Sequence, residues 1–120
     1  MKNYILLSML SMAIPILANT ETGKASYYSI KCNGGTRTAS GEKLVDSSNT
    51  IAHKTLPFGT LVKVTNLKNG KSEIVRVNNR GPYIKGRIVD VTIGVAKKLD
   101  FVEIGVIPVK IELVSKVNIK

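Results

Sequence analysis

The chain has 120 residues, a formal net charge of +10, one cysteine and 5% aromatic residues. This length suits one small domain and excludes a multidomain protein. A lone cysteine excludes an internal disulfide, and Cys32 is expected to be a small, half-buried apolar side chain. The positive charge favours a polyanionic partner, although the lysines are scattered and most of them need only solvate the surface.

Residues 1–18 have the pattern of a secretory signal peptide. Lys2 supplies a positive charge, residues 4–17 are mainly apolar, and Ala18 is a small residue before a plausible cleavage site. The apolar run is shorter than the ~20 residues that a membrane span needs. No cysteine closely follows the run, so no lipid anchor is expected. The sequence therefore predicts a periplasmic or secreted bacterial protein, and export argues against nucleic acid as the partner.

Short strands dominate the rest of the chain, with a linker at 19–22, a domain at 23–115 and a tail at 116–120. The alternating apolar patterns predict strands at 25–29, 50–53, 60–67, 71–78, 87–91 and 106–114. The Asn-Gly pair at 69–70 predicts a hairpin between the third and fourth strands. Thr92 is the predicted N-cap of a helix over 93–99, whose residues Ile93, Ala96 and Leu99 would face inward. Pro108 confines the start of the last strand to a sheet edge or a bulge.

Residues 59–67 and 105–113 resemble each other when one inserted residue is allowed at Pro108. Two similar β-units in so short a chain indicate a pseudo-symmetric barrel. The strands, the single helix and the Gly- and Pro-rich turns favour the same architecture. The predicted fold class is therefore a mainly β barrel with one short helix.

The stretch 75–91 carries the densest group of chemically useful side chains. It begins as an alternating strand that places Arg76 and Asn78 on one face, opposite two valines. A Gly-Pro pair after Arg80 predicts a turn, and Asp90 is the lone acid of the strand that follows. Amide, guanidinium and carboxylate groups thus meet at strand ends. We expect them to face a carbohydrate groove together with residues from upstream.

Seven motifs in this order resemble the rare lipoprotein A family. They are Gly23-Lys-Ala-Ser-Tyr-Tyr28, Thr38-Ala-Ser-Gly-Glu42, Ala52-His-Lys-Thr-Leu-Pro-Phe-Gly59, Val64-Thr-Asn-Leu67, Asn69-Gly70, Val75-Arg-Val-Asn-Asn-Arg-Gly-Pro82 and Arg87-Ile-Val-Asp90. The resemblance covers residues 23–114 and implies a six-stranded double-psi β-barrel. It also implies a lytic transglycosylase that cleaves bacterial peptidoglycan, preferring glycan without stem peptides. Many members of that family carry a lipid anchor and a C-terminal peptidoglycan-binding repeat domain, which are not expected here.

The resemblance implies three functional positions, an acid at Glu42, a histidine at His53 and an aspartate at the position of Asn79. Cleavage of a glycosidic bond needs a proton on the leaving oxygen and negative charge near the oxocarbenium centre. A lytic transglycosylase then deprotonates the 6-hydroxyl of the sugar, which attacks to give a 1,6-anhydro product. An amide has no titrating proton, so Asn79 is expected to orient the N-acetyl group of the substrate.

The titratable groups have distinct expected roles. Burial against Tyr27 or Tyr28 would raise the pKa of Glu42 toward that of a working acid. His53 would pair with Glu42 or shuttle its proton. Asp90 resembles the essential acid of expansins and membrane-bound lytic transglycosylases. The dipole of the predicted helix would keep Asp90 ionised, as a base or an electrostatic stabiliser.

Other side chains are expected to build the groove. Arg80 and Arg87 would bridge to Asp90 and hold the strand ends. Asn79 and Arg80 would line the groove. Three aromatic side chains would stack on sugar rings, namely Tyr27, Tyr28 and Tyr83. With one cysteine and one histidine, the sequence has no metal-ligand spacing, and no cofactor is implied.

Three hypotheses remain from the sequence. The first is a monomeric lytic transglycosylase with Glu42, His53 and Asp90 as catalytic residues. The second, motivated by Asn79, is a catalytically inactive, expansin-like glycan-binding module. The third is a basic barrel that binds nucleic acid, which requires retention of the signal segment in the cytosol. For each candidate catalytic residue, a purely structural role is the alternative. Glu42 would then be a solvated loop carboxylate, His53 a hydrogen-bonded strand histidine and Asp90 the ion-pair partner of an arginine.

Overall fold

A computed structural model describes residues 19–30 and 36–115. The predicted signal peptide, Cys32 and the predicted tail lie outside the described residues. Within them the elements are β1 (Thr20–Tyr28), β2 (Thr50–His53), β3 (Leu61–Asn66), β4 (Ser72–Asn79), β5 (Arg87–Thr92), α1 (Ile93–Lys98) and β6 (Ile107–Ser115). No helix in this part of the chain is long and apolar enough to cross a membrane.

The six strands close into a barrel in the order β1-β5-β2-β4-β3-β6. Two neighbouring pairs are parallel, β1 with β5 and β2 with β4, and the other four pairs are antiparallel. Because side chains alternate along a strand, each strand sends every second residue into the barrel. The predicted mainly β barrel is confirmed, and α1 is the short helix that was predicted after β5.

The two segments that resemble each other in sequence form β3 and β6, which pair with each other. Val64 lies opposite Ile111 in this antiparallel pair. The matching residues Val62 and Val109 are both fully buried, as are Val64 and Ile111. The same apolar pattern therefore fills the core twice, from two neighbouring strands that run in opposite directions.

The barrel interior is filled mainly by β-branched side chains, which pack well on pleated strands. The largest fully buried side chains include Ile51, Val62, Val64, Val75, Val77, Val89, Val91, Leu99, Phe101 and Ile107. The buried amide of Asn66 donates a hydrogen bond of 2.9 Å to the carbonyl of Leu99 at the end of α1, and Asn69 donates another of 3.1 Å. The predicted hairpin after β3 thus also closes the end of the helix.

Helix α1 begins as predicted. The Thr92 hydroxyl accepts a hydrogen bond from the Val95 amide at 3.3 Å and donates one of 2.6 Å to the carbonyl of Ser48. The helix ends at Lys98, with Leu99 as its C-cap. Ala96 and Leu99 are buried as predicted, whereas Val95 is buried and Ile93 only half-buried. A helix of six residues is too short to have a complete apolar face of its own. The chain that packs against it therefore determines which of its residues are buried.

The start of the first strand and the setting of Pro108 differ most from the prediction. Strand β1 begins at Thr20, so residues 20–22, which were predicted to be linker, pair with β6. These residues are polar and exposed, and only the backbone hydrogen bonds to a distant strand make them β-structure. Pro108 is the second residue of β6 and lies opposite Lys24. Since the barrel is closed, β6 is not an edge strand, and its pairing with β1 has no register shift at Pro108, so neither the predicted edge nor the predicted bulge is present.

Candidate active site

Four residues from four strands form a row across one part of the barrel wall. Ser26 of β1 lies beside Asp90 of β5, Asp90 lies beside Ala52 of β2, and Ala52 lies beside Asn79 of β4. Neighbouring strands are about 4.8 Å apart, so this row brings Asp90 and Asn79 to within ~10 Å of each other. Residues 89 and 91 fill the core, and strand alternation therefore directs Asp90 to the outer surface.

Asp90 accepts a short hydrogen bond from the Ser26 hydroxyl through Oδ1. Within the described residues it forms no ion pair with any lysine or arginine. The predicted bridges from Arg80 and Arg87 to Asp90 are therefore wrong. Asp90 is a half-buried carboxylate that is oriented by a neutral hydroxyl and is not neutralised by a cation of this region.

Tyr28 lies beside Asp90 on the outer surface of the wall and is covered. It packs against Leu44 and Ala52 in a small apolar cluster and is only 9% exposed. Its hydroxyl lies near Asn79 and Asp90 but forms no well-aligned hydrogen bond with a described residue. Burial raises the pKa of Tyr28, and the negative charge of Asp90 raises it further. The phenol is therefore a protonated donor near the side chains of Asn79 and Thr50.

Glu42 is held by two side chains of β4. Nη1 and Nη2 of Arg76 donate hydrogen bonds of 2.6 and 3.0 Å to its two carboxylate oxygens. The Asn78 amide donates a third hydrogen bond of 3.1 Å to Oε1. These hydrogen bonds, with that from Arg76 the strongest, lower the pKa of Glu42. The expectation that burial against a tyrosine raises this pKa is wrong, because a guanidinium occupies the place beside the carboxylate.

Arg76 and Asn78 were expected on the polar face of β4, but neither was predicted to be a catalytic or substrate-binding residue. The signal was present in the alternation of β4, which placed both side chains on the face opposite the core valines. What the sequence lacked was the partner, since Arg76 and Glu42 are 34 residues apart.

Asn79 anchors the loop that carries Glu42. Its Oδ1 accepts hydrogen bonds from the amides of Ala39 at 2.8 Å and Arg80 at 3.0 Å. The amide of Ser40 also donates to the carbonyl of Asn78 at 3.2 Å. The 36–44 loop, which is closed on itself by backbone hydrogen bonds, is thereby fixed to the end of β4. The Asn79 side chain lies near the Tyr28 hydroxyl, at the Asp90 side of this loop.

His53 lies apart from Glu42 and has its own partners. Its Nε2 is 3.1 Å from Oε1 of Glu21, and its Nδ1 accepts hydrogen bonds from the amides of Thr55 and Leu56, both at 3.1 Å. The predicted pair of His53 and Glu42 is therefore wrong. His53 follows Ala52 in the strand, so its side chain points to the opposite side of the barrel wall. There it lines a cavity of about 220 Å³ whose other walls include Val62, Ile111 and Leu113.

Arg80 binds the turn that follows His53 and not the carboxylate of Asp90. Its Nη1 donates hydrogen bonds of 3.1 Å to the carbonyl of His53 and 2.8 Å to that of Leu56. Its guanidinium carbon lies 4.1 Å from the centre of the Phe58 ring, a cation–π contact. The residues from 53 to 58, called here the 53–58 turn, are thus fixed beside Asn79.

The three tyrosines occupy different environments. The Tyr27 hydroxyl donates a hydrogen bond of 2.9 Å to the carbonyl of Val102, and its ring packs edge-on against Phe101. Tyr27 is therefore half-buried and packs against the core, with its hydroxyl bound within the chain. Tyr28 offers its hydroxyl and not an open ring face. Tyr83 is 76% exposed, on the loop that follows Arg80, and is the one of the three that has a free aromatic face.

No group of three or more His, Cys, Asp or Glu side chains in residues 19–30 and 36–115 is arranged to hold a metal ion.

The closed six-stranded barrel with two parallel strand pairs defines the class of the protein, a double-psi β-barrel with a polar site on its outer wall. Residues 20–111 match the family described as "Lytic transglycolase", and the chain belongs to that family. The predicted family and the predicted six-stranded double-psi β-barrel are confirmed.

Several curated relatives are similar over most of the chain. The endolytic peptidoglycan transglycosylase RlpA of Neisseria meningitidis serogroup A is 52% identical over 93 residues, which cover 78% of this chain and 38% of that protein. The protein of the same name from Vibrio cholerae is 49% identical over 80% of this chain and 36% of its own length. The chain thus spans less than two-fifths of the length of these relatives.

Solved structures establish the fold. The Streptomyces papain inhibitor has a TM-score of 0.64 at 24% identity, over 80% of this chain and 94% of the inhibitor. An apo expansin from Clavibacter michiganensis has a TM-score of 0.61 at 23% identity, over 82% of this chain and 52% of the expansin. A variant of that expansin, solved in complex with cellohexaose, has a TM-score of 0.57 at 20% identity, over 84% of this chain and 53% of the variant.

Proposed function

We propose that this domain is an endolytic peptidoglycan transglycosylase that cleaves glycan strands, preferably those without stem peptides, to 1,6-anhydro products. The observation that carries the proposal is the environment of Asp90. It is a carboxylate on the outer wall, oriented by Ser26, with no cationic partner in the described region and with the buried Tyr28 phenol beside it. The relatives that bear this activity in their names are about half identical to the chain over the same residues.

One carboxyl group is sufficient for the reaction. The Asp90 carboxyl gives its proton to the glycosidic oxygen, which leaves with the electron pair of the C1–O bond. The 6-hydroxyl oxygen of the same sugar then bonds to C1, and its proton returns to the Asp90 carboxylate. Glycan that covers the site excludes water from C1, so that the 6-hydroxyl is the nucleophile.

The remaining groups support this step. The Tyr28 phenol is a donor in reach of the Asp90 region and can stabilise its carboxylate form. Glu42 is ionised by its contact with Arg76, so we assign it to holding the 36–44 loop as one wall of the groove. The 53–58 turn with Arg80 forms the wall on the other side of Asn79. Asn79 presents an amide toward the N-acetyl groups of the glycan.

The test uses the domain with purified glycan strands freed of stem peptides. We expect soluble fragments whose muramoyl ends carry the 1,6-anhydro ring, detected by mass spectrometry. Fragments with ordinary reducing ends would contradict attack by the 6-hydroxyl, since they require water as the nucleophile. Strands that keep their stem peptides should give fewer fragments, and equal yields from both substrates would contradict the proposed preference.

A catalytically inactive glycan-binding module is the second candidate. Asn79 favours it, because the family motif has an aspartate at this position and an amide cannot exchange a proton. Retention of the domain on purified glycan without any anhydro fragments would support this candidate and remove the enzyme.

We also propose that residues 1–18 direct export and that the protein acts as a monomer in the periplasm or outside the cell. The positive charge of Lys2, the apolar run and Ala18 support export. N-terminal sequencing of the protein from cell-envelope fractions should find the segment removed. A protein that keeps the segment and stays in the cytosol would instead favour the nucleic-acid hypothesis.

Sedimentation of the domain tests the proposed monomeric state, and a dimer at micromolar concentration would contradict it.

A further inference from the structure

Both ring nitrogens of His53 are occupied by neighbours in the chain. The residue is only 6% exposed. Two backbone N–H groups, those of Thr55 and Leu56, point at Nδ1 from 3.1 Å. A nitrogen that accepts hydrogen bonds cannot carry a hydrogen itself, so the hydrogen of the neutral ring is on Nε2. That nitrogen donates to Oε1 of Glu21 at 3.1 Å.

The turn that His53 binds is also held from its other side. The Arg80 guanidinium donates to the carbonyl oxygens of His53 and Leu56 and stacks on Phe58. The imidazole thus satisfies two amides of the 53–58 turn, and the guanidinium satisfies two of its carbonyls. Loss of the imidazole acceptor would leave the two amides without a partner in the chain.

The 53–58 turn is connected to the site through two residues. The backbone amide of Arg80 donates to the Asn79 side chain, which also anchors the 36–44 loop. Asn79 is separated from Asp90 only by Ala52 in the row across the wall. A displacement of the 53–58 turn therefore moves Arg80. It also disturbs the hydrogen bond from the Arg80 amide to the Asn79 side chain.

We propose that His53 is a positioning residue, which shapes the groove wall through the 53–58 turn and exchanges no proton with the glycan. This inference rests on the proposed function for its kinetic readout. The Nδ1 lone pair is used within the chain, and Nε2 faces Glu21 and a largely apolar cavity on the side of the wall opposite Asp90. The partner that a proton relay would need, Glu42, is instead bound to Arg76 and Asn78.

Two variants separate positioning from proton transfer. In His53→Asn the side-chain oxygen takes the place of Nδ1, so the amides of Thr55 and Leu56 keep an acceptor. In His53→Gln the side-chain amide reaches toward the place of Nε2. The backbone amides of Thr55 and Leu56 then lose their acceptor. We expect His53→Asn to keep kcat within about threefold of wild type, and His53→Gln to lose about 100-fold, the effect of a misplacement of ~1 Å.

Hydrogen exchange of the two turn amides gives the matching structural readout. They should stay protected in His53→Asn and exchange faster in His53→Gln. An inactive His53→Asn variant with both amides still protected would overturn the proposal, because it would show that the ring itself is needed. Equal activity of the two variants would overturn it as well.

Glu21→Gln is the matched control. The amide oxygen of Gln still accepts from Nε2, but the negative charge that a proton relay would use is gone. We expect an unchanged pH profile and kcat within about twofold of wild type, since a neutral acceptor is sufficient for a hydrogen bond. A loss of more than tenfold in Glu21→Gln would overturn the proposal.

The tautomer can be measured without substrate. Long-range ¹H–¹⁵N spectra of the wild-type domain at neutral pH should show the hydrogen on Nε2 and none on Nδ1. A hydrogen on Nδ1 would overturn the proposal whatever the activity of the domain. If wild type makes no anhydro fragments, the proposed function fails. The tautomer and the amide protection still decide the role of His53, and glycan affinity then replaces kcat as the functional readout.

Discussion

Arg76 and Glu42 form a bidentate ion pair that joins β4 to the 36–44 loop, with N–O distances of 2.6 and 3.0 Å. The pair has two consequences. It fixes a loop that borders the proposed groove, and it lowers the pKa of a carboxyl group that sequence patterns favoured as the acid. Asp90, in contrast, forms no such ion pair among the described residues.

Replacement of Arg76 by Met should make stability less dependent on acid pH. The pKa of Glu42 is lowered in the folded state, so its contribution to the free energy of unfolding is complete above the ordinary glutamate pKa of about 4.3. This contribution is lost as pH falls through the lowered pKa. The two side chains are 41% and 42% exposed. We therefore expect Arg76→Met to cost only about 0.5–1 kcal/mol at neutral pH.

Urea unfolding at neutral pH and at about pH 3 measures this effect. The difference in free energy between the two conditions should be smaller in Arg76→Met than in wild type. Glu112→Gln is the control, because Glu112 lies 3.9 Å from Lys110 in a looser exposed pair. An Arg76→Met variant with the pH dependence of wild type would contradict the prediction.

Asp90→Asn should abolish cleavage and leave the fold intact. The amide oxygen of Asn still accepts the hydrogen bond from Ser26, but the group has no proton to exchange. We expect initial rates of anhydro-fragment formation to fall by about 100- to 10,000-fold, the usual contribution of a general acid–base group. Glycan binding should persist, as measured by retention on purified strands.

Glu103→Gln is the matched control for Asp90→Asn. Glu103 is an exposed carboxylate outside the proposed site, and its replacement should leave the rate unchanged. If Asp90→Asn keeps more than a tenth of the wild-type rate, the acid is a different group, and Glu42 becomes the first alternative.

Asn79→Asp should increase cleavage without loosening the site. One carboxylate oxygen can still accept from the amides of Ala39 and Arg80, so the 36–44 loop remains docked. The other lies near the Tyr28 phenol, which has no well-aligned acceptor among the described residues. We expect a rate increase of about 100-fold, because negative charge is added near the oxocarbenium centre.

Asn79→Ala separates the anchoring role of this residue from its chemistry. It removes the acceptor of two backbone amides and should lower the free energy of unfolding by about 1–3 kcal/mol. Chemical unfolding measures this loss. An Asn79→Asp domain that is stable but no more active than wild type would show that the amide is not what limits the reaction.

Gly94→Ala should destabilise the contact between α1 and the 45–49 segment. A Cβ atom at this position would lie 2.7 Å from the carbonyl oxygen of Asp46 and 2.9 Å from Cα of Ser47. The backbone amide of Gly94 donates to that same carbonyl at 2.8 Å, so the segment has no room to move away without losing this bond. We expect a cost of about 1–3 kcal/mol, typical of overpacking.

Thermal unfolding compares Gly94→Ala with Lys97→Ala, an exposed replacement in the same helix. The first variant should have a clearly lower Tm, and the second should resemble wild type. Equal Tm values would mean that the 45–49 segment moves aside at little cost.

Local patterns in the sequence predicted much of the fold. The alternation of valines with polar residues predicted β4, the Asn-Gly pair predicted the hairpin, and Thr92 was predicted as the helix cap. These features involve neighbours in the chain, and their physical causes are backbone conformation and the period of the side chains. The similarity between residues 59–67 and 105–113 predicted a barrel, and the family resemblance added the six-stranded double-psi topology. The structure confirms both.

The partners of the site residues were decided only by the tertiary structure. Glu42 meets Arg76 across 34 residues, and His53 meets Glu21 across 32. The polar start of β1 became a strand because β6 pairs with it, although residues 20–22 have no apolar pattern. A sequence specifies which groups can ionise or donate a hydrogen bond. The closed barrel selects their neighbours, since strand register and the docking of the 36–44 loop on β4 determine which distant side chains meet.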